Sequence, residues 1–196
     1  MAHHIYTTPA YVLRTTQREE TSSFVTLLTR NLGVISGVAK GLRLIKSKLR
    51  YSLQPFSRVV VALVRGKNVW RVANAREEFN IYFSHKENKE LIQAVARIFY
   101  LIERLVPGEE KNEKLFDIVE KAIHFCGTTS FTKENIQAFE YVTVLKILHC
   151  LGYGKEDKEI QIFTDSPLSM ELLSTMKDKK RMIVPEINKA IRESQL

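Results

Sequence analysis

The sequence predicts an α+β protein in which a small β-barrel is followed by an all-α helical domain. Up to about residue 83, β-branched and aromatic residues occur in short runs separated by glycine-containing turns. From Ser84 onward, leucine, isoleucine and valine recur at helical spacing. A chain of 196 residues is long enough for two domains. We therefore expect a strand-rich domain over residues 1–83 and a helical domain over residues 84–196.

Five runs in the first domain are expected to be strands. They are YVLRTT, SSFVTLLTR, VISGVAK, RVVVALVRG and VWRVANARE. The segments NLG and GKN are typical of tight turns, so they predict one hairpin between the second and third runs and another between the fourth and fifth. Five strands with one long irregular connection, here residues 40–56, suit the OB-fold, a small five-stranded barrel.

Apolar stripes predict the helices of the second domain. Three segments carry such a stripe: 91–105, 115–126 and 132–150. A glycine follows each segment closely and is expected to end the helix, and Thr132 is the expected cap of the third. Ser166-Pro167 is expected to begin a short helix through Met176, and Pro185 a separate final helix.

The formal net charge of +8 is concentrated in the predicted barrel. Residues 1–83 carry 13 Lys and Arg against 4 Asp and Glu, whereas residues 84–196 carry 17 against 18. Residues 21–76 contain 11 basic side chains and no acidic one. Because like charges held together repel unless a counter-charge is supplied, this asymmetry predicts a polyanionic partner, either nucleic acid or an anionic membrane surface.

The densest part of this interval, together with the second hairpin, is expected to bind nucleic acid. The candidate residues are Lys40, Arg43, Lys46, Lys48 and Arg50, and then Arg65, Lys67, Trp70 and Arg71. Each cation that neutralises a phosphate releases a counterion, and interleaved aromatic side chains stack on bases. A solvated loop is the simpler alternative for the basic stretch. Trp70 is explained about equally well as a core residue and as a stacking platform.

Catalysis and metal binding find less support. A two-metal nuclease needs several carboxylates, and residues 21–76 contain none, so we expect no catalytic residues and a protein that is not an enzyme. Cys126 and Cys150 are the two cysteines and form no CxxC pair, so no metal and no cofactor is expected, and both thiols are expected to be buried and reduced. Neither a membrane-spanning run nor a signal-peptide pattern is found, which predicts a soluble, cytoplasmic protein.

A series of short motifs runs through residues 10–78. They are Val12-Leu13-Arg14, Glu20, Val25 to Thr29, Gly33, Val38-Ala39-Lys40-Gly41 with Arg43, Ser47 with Leu49, and Leu53-Gln54-Pro55-Phe56. Their order resembles the N-terminal part of the RecO family of bacterial DNA repair and recombination mediators, and the VAKG and LQPF elements at their spacing are the most specific. The hairpin RGKNVWRVANARE continues the resemblance, which extends into the helical part at Phe139-Glu140 and Leu151-Gly152-Tyr153.

The resemblance implies an OB-fold domain followed by a helical domain, which bind single- and double-stranded DNA and anneal complementary strands. It implies a role in loading the recombinase onto strands covered by single-strand-binding protein. The implied partners are RecR and the acidic C-terminal tail of single-strand-binding protein, and the implied location is the nucleoid. Composition alone leaves open an RNA-binding barrel in translation or RNA metabolism.

Two features depart from the family pattern. Many RecO proteins carry a four-cysteine zinc module after the L-G-Y element, whereas GKEDKEIQIFTDSP follows here without a cysteine. A zinc site is therefore not carried over from the resemblance. The chain is also short for the family, which leaves the partner contacts of its C-terminal part open.

Overall fold

The computed structural model describes residues 4–106, 108–154 and 157–194. By its contacts the chain divides into two compact units, Met1–Ser84 with Val106–Glu113, and His85–Leu105 with Lys114–Leu196. The strands are β1 (Ile5–Gln17), β2 (Ser23–Thr29), β3 (Gly33–Ala39), β4 (Ser57–Arg65) and β5 (Trp70–Asn80). The helices are α1 (Leu49–Ser52), α2 (Ile81–His85), α3 (Lys89–Leu105), α4 (Glu113–Thr128), α5 (Lys133–Cys150), α6 (Lys158–Asp165) and α7 (Met170–Glu193).

The first unit confirms the predicted five-stranded OB-fold. Strand β1 pairs antiparallel with both β2 and β4, β2 pairs with β3, and β4 pairs with β5. A short parallel pairing of β3 with β5 completes the order β1-β2-β3-β5-β4, so the sheet closes on itself. The two predicted hairpins are the β2–β3 and β4–β5 pairs, and the long connection from β3 to β4 carries the basic residues.

Alternating side chains from the strands fill the interior of this sheet. In β4, Val59, Val61 and Leu63 are fully buried, while the residues between them are partly exposed. Two leucines outside the strands, Leu42 and Leu53, are 5% and 1% exposed and belong to the same core. The connection between β3 and β4 is therefore fixed to the core near both of its ends.

The turn between β2 and β3 requires glycine at position 33. Gly33 has φ +72°, a left-handed conformation that side chains with a Cβ rarely adopt. A Cβ at this position would also overlap the backbone carbonyl of Glu110. The hydroxyl of Thr29 stabilises the turn, because it donates to the Gly33 carbonyl at 2.8 Å and accepts from the Leu32 amide at 3.0 Å.

The second unit is helical, as predicted, and α5 is its central helix. Helix α5 packs against α3, α6 and α7, so apolar residues on several of its sides are buried. Thr132 is confirmed as its N-cap, since the Thr132 hydroxyl accepts from the Asn135 amide, and Gly152 follows its end with φ +82°. Gly127 does not end the preceding helix, because α4 continues through Thr128.

The C-terminal part differs most from the sequence prediction. The two helices expected after Ser166-Pro167 and at Pro185 are one continuous helix, α7, with Pro185 inside it. Ser169 is its N-cap, because the Ser169 hydroxyl accepts from the Leu172 amide at 3.2 Å. Apolar residues on both sides of the proline are buried, and α7 packs along α5. We attribute the continuity to this packing, which offsets the roughly 3 kcal/mol that an interior proline costs a helix.

Helix α6 was not predicted. It has only eight residues, begins at the Asp157 cap and buries Ile160 and Phe163. A helix with two core residues is too short to give a clear periodic signal in the sequence.

The two cysteines are thiols that differ in burial. Cys126 is fully buried, and desolvation raises the pKa of its thiol to about 12. Cys150 is only partly buried, so the prediction of two buried thiols is confirmed for Cys126 alone.

Among the helices that the structure describes, none combines the length and the apolar character that crossing a bilayer requires.

Replacement of Gly33 tests the geometry of the β2–β3 turn. We expect Gly33→Ala to lower the free energy of unfolding by at least about 2 kcal/mol. The energetic cost of a left-handed backbone at alanine and the cost of the overlap with Glu110 add to each other. Gly127→Ala is the matched control, since that glycine lies in α4 with open space around it, and we expect a gain of up to about 1 kcal/mol. Thermal unfolding measures both. Equal midpoints for the two variants would contradict the described turn.

Candidate nucleic-acid interface

The basic segment, which we define as residues 40–50, is an ordered series of tight turns. Lys40 follows the last residue of β3, and Gly41 turns the chain with φ +66°. Backbone amides then bond three residues back, from Leu44 to Gly41 at 3.1 Å and from Ser47 to Leu44 at 3.0 Å. The expected irregular connection therefore consists of hydrogen-bonded turns, and its last two residues, Leu49 and Arg50, begin the short helix α1.

Contacts on both sides attach the basic segment to the closed sheet. Leu42 is a core residue, and Leu49 packs against the same core. Arg43 bonds to the β1–β2 turn twice, because its backbone amide donates to the Thr21 carbonyl at 3.1 Å and its guanidinium to the Glu20 carbonyl at 2.8 Å. These contacts restrict the positions that the cations can take.

The five cations of the basic segment all lie on the surface. They are Lys40, Arg43, Lys46, Lys48 and Arg50. None of them forms an ion pair with a carboxylate in the part of the chain that the structure describes. Glu20 approaches Arg43 through its backbone carbonyl and so leaves the guanidinium charge uncompensated. The two acids of β5 have partners outside the basic segment. Glu77 accepts from the Ser57 hydroxyl at 2.8 Å, and Glu78 pairs with Arg58 at 2.6 Å.

A groove of about 350 Å³ opens beside the basic segment. Its lining residues are Thr15, Gln17, Ser23, Leu42, Arg43, Arg50, Leu53, Gln54 and Pro55. Two guanidinium groups and two side-chain amides thus share one concave surface. A guanidinium offers several N–H donors in a planar fork, which matches the oxygens of a phosphate. The groove can therefore accept a phosphodiester, with Arg43 and Arg50 as its ligands.

The second hairpin supplies a smaller group of cations. Arg65, at the end of β4, pairs with Glu109, so its charge is partly neutralised. Lys67 lies exposed in the β4–β5 turn, and Arg71 is exposed on β5. Arg71 pairs in register with Val38, two residues before Lys40. The parallel β3–β5 pairing therefore brings Arg71 next to the strand that leads into the basic segment.

Trp70 occupies the core and not the surface. Its side chain is 5% exposed, the Tyr6 ring meets it edge-on at 5.3 Å, and the Arg65 guanidinium lies 4.8 Å from its ring centre. Of the two roles that the sequence leaves open for Trp70, this burial favours the core. Tyr51, on α1 beside Arg50, is instead 68% exposed.

Of the nine groove residues, the sequence predicted only Arg43 and Arg50 as binding residues, so both side-chain amides of the groove were missed. Gln17 ends β1, and Gln54 belongs to the LQPF element. The only signal for either was the position of Gln54 inside a family motif, since an isolated glutamine carries no chemistry of its own. The groove forms because Leu53 is buried and Thr15 donates to the Leu53 carbonyl at 2.9 Å, which brings residues 53–55 against β1.

The site shows no arrangement for a metal. Within residues 4–106, 108–154 and 157–194, no three or more His, Cys, Asp and Glu side chains are grouped so that they could hold an ion. The groove presents guanidinium and amide donors, which suit an anion and repel a cation.

A closed five-stranded sheet with an uncompensated cationic face, followed by a helical unit, defines the class to which this protein belongs, the OB-fold proteins with a basic surface. Comparison with known proteins then assigns a family. Residues 1–76 match the family profile described as "Recombination protein O N terminal". The chain belongs to the RecO family of DNA repair proteins.

Curated relatives named "DNA repair protein RecO" match over most of this chain. The protein of Alkaliphilus metalliredigens is 30% identical over 146 residues, which are 74% of this chain and 57% of the relative. The protein of Heliobacterium modesticaldum is 31% identical over 152 residues, or 78% of this chain and 53% of the relative. The protein of Dehalococcoides mccartyi is 29% identical over 159 residues, which are 80% of this chain and 60% of the relative. The chain thus spans a little over half the length of these relatives.

Charge reversal in the basic segment tests the phosphate contacts. We expect Lys46→Glu with Lys48→Glu to weaken binding to DNA of any sequence by at least about 10-fold, because two attractive interactions with phosphate become repulsive. The slope of log affinity against log salt should fall by roughly 0.7 for each phosphate that is no longer neutralised on a single strand. Fluorescence anisotropy over a salt series measures both quantities.

The matched control reverses two exposed lysines of the second unit, Lys158→Glu with Lys189→Glu, and changes the net charge equally. We expect it to retain most of the affinity and the full slope. If both pairs of substitutions changed binding alike, net charge would explain the result and the assignment of the basic segment would be wrong.

Substitution of Trp70 separates the two roles considered for it. We expect Trp70→Leu to reduce the free energy of unfolding by roughly 2–5 kcal/mol, because it leaves a cavity in the core. DNA affinity, measured below the unfolding temperature, should stay within about 2-fold. A base-stacking role requires the opposite pattern, with stability retained and binding weakened by roughly 1–3 kcal/mol.

Proposed function

We propose that this chain is a DNA-binding recombination mediator in DNA repair, which binds single- and double-stranded DNA and anneals complementary strands. The observation that carries the proposal is the exposed basic segment, whose five cations have no carboxylate partner in the described chain, beside a groove lined by Arg43 and Arg50. Membership of a family of DNA repair proteins supports DNA as the polyanion. The proposed activity makes and breaks no covalent bond, so it needs neither a catalytic group nor a cofactor.

Neutralisation of phosphate is the proposed basis of annealing. Two complementary strands repel each other through their backbones, and cations on one surface reduce that repulsion when they contact both strands. Each neutralised phosphate also releases a condensed counterion, which favours binding at low salt. Lys40, Lys46 and Lys48 lie outside the groove lining and supply charge for a second strand, while Arg43 and Arg50 hold the first.

The proposed binding does not depend on DNA sequence. Phosphate contacts position a strand without reading it, whereas sequence is read from the edges of the bases. The cations of the basic segment are suited to the first kind of contact. Bases that are left free in this way remain available to pair with a complementary strand, as annealing requires.

Loading of the recombinase onto strands covered by single-strand-binding protein is the second part of the proposal. The expected partners are RecR and the acidic C-terminal tail of single-strand-binding protein, and the expected location is the nucleoid in the cytoplasm. In the second unit, Lys177 and Lys180 line a cavity of about 220 Å³ on α5 and α7. These two cations support a contact with an acidic peptide, although Glu134 lies in the same cavity and pairs with Lys177 at 3.5 Å.

Strand annealing in the presence of single-strand-binding protein tests this function. We expect the protein to accelerate pairing of two labelled complementary strands, both when they are bare and when they are coated. A protein that only binds DNA would be blocked by the coat, because it would compete for the same phosphates. Energy transfer between the labels measures the rate of annealing.

The variant carrying Lys46→Glu and Lys48→Glu is the control, and it should slow annealing on both substrates. The same annealing measurement with RNA strands of equal length tests the choice of DNA, since basic OB-folds bind RNA equally well. If bare strands annealed no faster than without protein, or if RNA were strongly preferred, the proposed function would be wrong.

A further inference from the structure

Two large apolar side chains project from the basic segment. Leu44 is 53% exposed and Ile45 is 81% exposed, the highest value among the large apolar side chains in the part of the chain that the structure describes. Arg43 precedes this pair and Lys46 follows it. We call Leu44 and Ile45 the apolar tip. Leucine and isoleucine side chains exposed to water do not stabilise a solvated loop. The apolar tip therefore indicates a binding surface.

The fold holds the tip outward while other apolar residues of the same segment turn inward. Leu42 is 5% exposed in the core, and Leu49 packs against that core. The bonds from the Leu44 amide to the Gly41 carbonyl and from the Ser47 amide to the Leu44 carbonyl fix the turn between them. The exposure of Ile45 therefore results from ordered local structure.

The charges around the tip indicate what can cover it. Cations lie on both sides, so the occupant must be anionic, and it must also present an apolar surface within a residue or two of its charges. DNA meets both conditions, because its bases have apolar faces and are attached to the phosphate backbone. Leucine and isoleucine are among the side chains that proteins insert between base steps. Arg43, which lines the groove, directly precedes Leu44, so we expect a strand held by Arg43 to reach the tip.

We propose that Leu44 and Ile45 insert against the faces of unstacked bases, so that the interface prefers single strands and the open ends or forks of duplexes to continuous duplex. This inference rests on the proposed DNA-binding function. In a continuous duplex the base faces are covered by their neighbours, and insertion must first separate a base step. In a single strand or at a fork those faces are already accessible, so the tip buries apolar area without that cost.

The test uses the double variant Leu44→Ser with Ile45→Ser in the full chain. Affinity is measured for a single strand, a forked duplex and a closed duplex, which is a relaxed, covalently closed circle without unpaired bases. We expect binding to weaken about 10-fold on the single strand and the fork, and to change by less than about 2-fold on the closed duplex. The salt slope should be unchanged on all three, because no cation is removed.

Two further variants serve as controls. Ile162→Ser removes an isoleucine that is 48% exposed on α6 in the second unit, and we expect it to bind all three substrates normally. The conservative substitution Ile45→Leu keeps an apolar side chain at the tip, so it should retain the preference for the single strand and the fork over the closed duplex. A fluorescent adenine analogue in an unpaired arm of the fork should change its emission on binding of the wild type, as its face contacts the tip, and should change less with the double variant.

The inference is overturned if the double variant binds the three substrates as the wild type does, or binds all of them more weakly by the same factor. In both cases the DNA-binding function itself would stand, provided that charge reversal at Lys46 and Lys48 still weakens binding. Absence of DNA binding by the wild type would refute the proposed function first. Binding to vesicles of anionic lipid that requires Ile45, with DNA binding unaffected by the double variant, would assign the tip to a membrane and overturn the inference.

Discussion

Burial of Leu42 and Leu53 in the core of the closed sheet is the constraint on which the proposed interface depends. These two side chains fix the connection between β3 and β4 near its ends, so the cations between them are held on one surface. The same anchoring brings Gln54 and Pro55 against β1 and creates the groove that Arg43 and Arg50 line. A core interaction thus determines the position of side chains that are themselves exposed to solvent.

The two units treat their charges differently. In the second unit, cations pair with acids of neighbouring helices, as Lys179 does with Glu159 at 2.9 Å and Arg97 with Glu140 at 2.5 Å. In the first unit, the acids at the end of β5 are engaged by that unit's own sheet, and the basic segment has no carboxylate partner among the described residues. Uncompensated charge at fixed positions is unfavourable for an isolated protein, and an anionic partner removes that cost.

Much of the fold follows from the sequence, whereas the groove does not. Short runs of β-branched residues, alternation and tight-turn signals predicted all five strands, because each signal lies within a few residues. Pro185 misled the prediction because local propensity favours a break there, while the packing of α7 against α5 involves residues far apart in the chain. The charge pattern located the cations, but the burial of Trp70 and the groove that Gln17 and Arg50 both line depend on contacts between residues far apart in the chain. Such long-range contacts carry no local sequence signature.

The central claim is that the basic segment contacts the phosphate backbone directly. Chemical acetylation of surface lysines, quantified by mass spectrometry with and without single-stranded DNA, tests that claim residue by residue. We expect strong protection of Lys40, Lys46 and Lys48 on DNA binding, while Lys158 and Lys189 react at unchanged rates. Equal acetylation of Lys46 and Lys48 in the free and the DNA-bound protein would contradict it.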